Sequence, residues 1–154
     1  MFQRASLLSL VITVAVPTCA DECDLAGAAL AAVPGVSGGE RTRNHIVKFH
    51  HWAVSEMSIG CAMERSLPME LFLAWDGAYP PNDFYVLAGK AGHAVIGGAA
   101  SAISTGAQRC QKKALGSKDE LAQTAEGGVG FECQAFSRDG GGTTISIYRV
   151  PPGE

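Results

Sequence analysis

Four cysteines spread along the chain, Cys23, Cys61, Cys110 and Cys133, constrain its fold more than any other feature. A fifth, Cys19, closes an apolar N-terminal segment. In a short exported chain an even set of cysteines reads as a disulfide framework, and four can pair in three ways. No C-x-x-C occurs, which removes the pattern of a thioredoxin-type redox pair or a zinc knuckle. The count is even only if Cys19 is lost.

Residues 1–20 have the organisation of a cleavable secretory leader. Arg4 supplies a positive start, Ala5 to Val16 is apolar apart from Ser6, Ser9 and Thr13, and Thr18 and Ala20 are small residues where a signal peptidase reads. The apolar run is shorter than the roughly 17–25 residues of a membrane span. It also lacks the polar face of a buried amphipathic helix. Lipid anchoring through Cys19 is the weaker alternative, since Val16, Pro17 and Thr18 precede it where a lipoprotein has Leu and small residues. The sequence therefore predicts a signal peptide over 1–20, a single domain over 21–154, and secretion or delivery to a periplasm.

Charge narrows the partners. The chain has 12 basic against 15 acidic residues, and no basic run exceeds Lys112-Lys113. Nucleic acid and anionic membrane surfaces both require a basic patch, so neither is an expected partner. The Gly/Ala-rich stretch Ala91–Ala107 is interrupted too closely by Lys90, His93 and Arg109 to be a membrane span, and no transmembrane segment is expected after residue 20.

Hydrophobic periodicity gives the elements. Asp24–Val33 is alanine-rich helix material ended by Pro34-Gly35, and Val36–Asn44 reads as a polar connector. His45–Met57, Ile59–Arg65 and Met69–Trp75 read as three successive strands. Asp76–Pro81 is a turn, with Asn82 as a candidate helix N-cap. From Phe84 to about Leu115 the apolar side (Phe84, Ala88, Ala91, Val95, Ala99, Ala102, Gly106) recurs at helical spacing, predicting one long helix with a small-residue face. Gly97-Gly98 falls inside it as a close crossing or a kink. Ser117–Glu120 has the capping-box form and predicts a short helix ending at Gly127-Gly128. Val129–Ala135 and Thr143–Val150 form a C-terminal hairpin around Asp139–Gly142. The predicted class is α+β: an antiparallel sheet of about five strands in the order α-β-β-β-α-α-β-β, packed by the long helix and stapled by two disulfides. With Cys23 and Cys110 on helices and Cys61 and Cys133 facing inward on strands, Cys23–Cys61 and Cys110–Cys133 are the expected pairs.

Chemistry is sparse. His45, His50 and His51 cannot chelate one ion from a flat strand, because adjacent side chains point to opposite faces. His93 or a carboxylate would have to complete any such site, and no metal or cofactor is expected. Neither G-x-S-x-G nor H-E-x-x-H occurs. Trp75, Tyr79, Phe84 and Tyr85 beside Asp76, Asn82 and Asp83 are the candidate binding surface, with the competing role of core anchors for Trp75, Phe84 and Tyr85. The predicted function is a non-enzymatic module that binds a protein or a small molecule. The alternative is a small secreted hydrolase, for which a pocket holding two of the histidines and a carboxylate would speak.

Overall fold

The computed structural model describes residues 21–61 and 68–151. Residues 1–20, the expected leader, and residues 62–65 of the predicted Ile59–Arg65 strand lie outside them. The chain folds into one seven-stranded antiparallel sheet with three helices on one face. Among the described residues no helix is long and apolar enough to cross a membrane.

Helix α1 (Glu22–Ala31) begins where the Asp21 carboxylate accepts the Asp24 N–H at 2.8 Å, an N-cap that satisfies one of the helix's free donors. Strands β1 (Ser37–Arg41), β2 (Ile46–His50), β3 (Glu56–Gly60) and β4 (Glu70–Trp75) then form a meander. Helices α2 (Asn82–Val95) and α3 (Ala100–Leu115) follow, and β5 (Leu121–Glu126), β6 (Val129–Phe136) and β7 (Gly142–Arg149) complete the sheet. The strand order β1-β2-β3-β4-β7-β6-β5 places β4 beside β7, so the two blocks of strands join at the centre.

Period two divides the two faces. Val47 and Phe49, Met57 and Ile59, Leu71 and Leu73, Ile145 and Ile147, Phe131 and Cys133 are all buried on the helix side. Leu30 of α1, Phe84 and Leu87 of α2 and Ile103 of α3 close over them. The helices come near because their contacts are small. A Cβ on Gly92 would meet the Ile103 side chain at 2.8 Å, and one on Gly89 would run into the Ala100 carbonyl. Disulfides join Cys23 to Cys61, just past β3, and Cys110 to Cys133, each tying a helix to the sheet as expected. Their Cα separations, 5.6 and 5.9 Å, lie in the ordinary range for a bridge.

The sheet has seven strands rather than about five, and four expectations are corrected. His45–Met57, expected as one strand, is β2, a turn and the start of β3, so the expected strand from Ile59 is the end of β3. The connector 36–44 contains β1, an exposed edge strand with a bulge between Gly38 and Glu40. The long helix is two helices, because Gly97 and Gly98 both adopt positive φ (+87° and +85°) and end α2. The segment read as a short helix is β5. Glu120 takes a positive φ, its carboxylate pairs with Arg138, and Gly127-Gly128, both at positive φ, make the two-residue turn into β6.

Candidate functional site

A concavity is built at one end of the sheet by the β2–β3 turn. His51 follows the last residue of β2, and its side chain makes the turn. Nδ1 accepts the Ala53 N–H at 3.1 Å, two residues along, as an Asn or Asp side chain does in an Asx-turn. That bond places the ring proton of neutral His51 on Nε2. The Nε2 edge abuts Gly35, at φ +84°, where a Cβ would stand 2.8 Å away. Burial holds the His51 pKa below its ordinary value. The Pro34 carbonyl opposes that shift and the Lys90 charge adds to it.

Trp52 follows in the turn and stacks on His51, with ring centroids 5.4 Å apart and planes at 29°. It is 72% exposed. Beside it lies a pocket of about 290 Å³. Its walls include Phe49, Val54 and Met57 on the apolar side and Ser37, His50 and Glu56 on the polar side. The last three form a row across β1, β2 and β3. Ser37 is the register partner of His50, and continuing the β2–β3 register brings Glu56 level with His50. All three are exposed. No hydrogen bond or ion pair links them to one another.

The four residues expected to form a binding surface separate. Phe84 and Tyr85 are buried, at 0% and 7% exposure, with their rings edge to face at 5.3 Å; they are core anchors. Trp75 is half-buried against the core. Tyr79 is 75% exposed, on the loop that leaves the same end of the sheet as the β2–β3 turn. That loop is fixed by Gln111 Nε2 donating to the Ala78 carbonyl at 2.6 Å and Thr143 Oγ1 donating to the Gly77 carbonyl at 2.9 Å. The histidines separate too. His45 lies in the β1–β2 turn at the opposite end, and His93 ends α2 with Nδ1 2.5 Å from the Gly98 carbonyl. Among the described residues no group of three His, Cys, Asp or Glu side chains could hold a metal ion.

No family model matches the chain, and comparison with curated proteins and with solved structures found none similar to it. The site is therefore read from its own geometry.

Proposed function

We propose that this is an exported binding domain whose recognition site is the pocket beside Trp52. The observation that carries the reading is a tryptophan 72% exposed to water yet stacked in one orientation on a histidine whose own position is fixed by a backbone hydrogen bond. An exposed, pre-oriented aromatic contributes large contact area at small entropic cost, which is why Trp is enriched among interface hot spots. Tyr79, exposed at the same end of the sheet, extends the surface. A pocket near 290 Å³ is at the lower edge of the range that accommodates drug-sized ligands, so it suits one ring or one inserted side chain of a partner. The occupant presents an apolar face to Trp52 and hydrogen-bonding or cationic groups to Ser37, His50 and Glu56. Export is supported by the leader-like N-terminus and the two disulfides.

The test is retention of partners from periplasmic extract or culture medium on the immobilised protein, identified by mass spectrometry. Trp52→Ala is expected to abolish retention that Leu25→Ala, an exposed apolar control on α1, leaves intact. An identical retained set for Trp52→Ala and the parent overturns the reading.

The Ser37–His50–Glu56 row supports the second reading, a hydrolase with Ser37 as nucleophile, His50 as base and Glu56 orienting it. A fluorophosphonate probe distinguishes the two. Labelling of Ser37 that disappears in His50→Ala favours the hydrolase, and absence of labelling sets it aside.

A further inference from the structure

We propose that His51 is an acid-operated latch on this pocket: a proton taken up at Nδ1 ends its bond to the Ala53 N–H and releases Trp52 from its stacked position. The inference rests on the reading of the Trp52 pocket as the binding site, and it adds how that site is regulated.

Both ring nitrogens of His51 face backbone. Nδ1 uses its lone pair to accept from Ala53, whose residue is 1% exposed. Nε2 carries the proton and is confined against Gly35 and the Pro34 carbonyl. Protonation places the new proton on the lone pair that held the turn, so two N–H groups face each other and the turn must open. A buried N–H cannot exchange its partner for water without that opening. Trp52 is the next residue and stacks on the same ring, so it moves with the turn.

The charges around His51 set the direction of the response. Burial disfavours an imidazolium, the Pro34 carbonyl partly offsets this, and Lys90 of α2 repels the charge further. The pocket brings His50 from β2 and Glu56 from β3, both on the opposite face of the sheet end, and the Pro34–Val36 segment brings no charge. The site is therefore closed at neutral pH and opens on acidification below the ordinary histidine range, as in other histidine-operated switches.

Trp52 and Trp75 are the only tryptophans, so Trp75→Phe leaves Trp52 as the sole reporter. Its fluorescence and acrylamide quenching are followed from about pH 8 to about pH 4, with far-UV circular dichroism as the measure of folding. The expected result is one reversible transition in Trp52 emission below pH 6.5, the unperturbed value for histidine, while the quenching, already high for a ring 72% exposed, changes little and the dichroism holds. The transition disappears in Trp75→Phe/His51→Gln. Flat Trp52 emission across the range, or a transition that survives His51→Gln, overturns the proposal. Ring ¹⁵N NMR on the unmutated protein gives an independent measurement. The Ala53 amide and the His51 Nδ1 resonances should move with one shared midpoint, and separate midpoints also overturn the latch. Loss of the binding reading leaves both measurements interpretable, since neither requires a ligand.

Discussion

The tip of the Phe131 ring on β6 fills the space where Gly106 of α3 would carry a side chain: a Cβ there would stand 2.5 Å from the ring's Cζ. This buried aromatic of the inner sheet face and the absence of a side chain on the helix above it are one packing decision. Gly106→Ala should therefore lower stability by up to about 2 kcal/mol, an overpacking cost of roughly 1–3 offset by about 1 from alanine's better helix propensity. Gly27 of α1 is the contrast. A Cβ there would meet only Phe49 Cζ at an ordinary 3.9 Å, so Gly27→Ala should raise stability by about 0.5–1 kcal/mol. Urea titrations of the two variants should move in opposite directions.

Gly97 and Gly98 separate α2 from α3 with positive φ, and the Gly97 N–H donates to the Gly92 and His93 carbonyls at 3.2 and 3.1 Å, a glycine-based helix stop. Alanine at either position should destabilise by about 1 kcal/mol, because an L-residue is strained there. Calorimetry of Gly97→Ala and Gly98→Ala checks this. A rise in the melting temperature of either variant would mean that the chain prefers the continuous helix its apolar spacing suggests.

That spacing explains what the sequence did and did not make legible. The apolar side read from Phe84 holds through α2 but not through α3, where Ala99 and Ala102 are exposed and Ile103, Ala107, Cys110, Gln111 and Ala114 are buried instead. The break is carried by two glycines whose backbone conformation no periodicity reports. Gly127-Gly128 was misread for a related reason. The same pair that can end a helix also makes a two-residue hairpin turn, and Leu121–Glu126 carries no alternation that marks a strand, since apolar Leu121 is exposed and Ala122 is buried. The pocket was hidden because His51–Ser55 contains no Gly, Pro, Asn or Asp. The histidine ring itself supplies the turn, so His45–Met57 reads as one strand and Trp52 does not stand out. Helix and strand positions remove one of the three cysteine pairings, Cys23–Cys110 with Cys61–Cys133, but do not separate the observed pairing from Cys23–Cys133 with Cys61–Cys110.

The two bridges should differ in accessibility. Cys110 and Cys133 are 0% and 1% exposed beneath α3, whereas Cys61 is half-buried at the end of β3. Dithiothreitol without denaturant should open Cys23–Cys61 first, and Cys110–Cys133 should need partial unfolding. Differential alkylation with peptide mapping reads the order. Replacing Cys110 and Cys133 together by Ala should cost about 3 kcal/mol on the chain-entropy account, for a loop whose ends are 23 residues apart.

Tyr85 gives the fold an alkaline limit as well. Burial pushes its phenol up to about 12 from the ordinary 10.0, because the phenolate is the form that loses solvation. The folded state therefore keeps the proton after an unfolded chain has released it. The stability this contributes is complete below pH 10 and is lost as pH rises from 10 toward 12. Tyr85→Phe removes the titrating group and keeps the edge-to-face contact with Phe84. Lysines ionise in the same range in both proteins, so the informative quantity is the difference between their urea midpoints. It should be constant up to about pH 10 and then shift progressively in favour of Tyr85→Phe, while the parent shows a last tyrosinate absorbance step near pH 12. A difference that stays constant through that window would mean that Tyr85 meets water in the folded protein and is not the core anchor its position on α2 makes it.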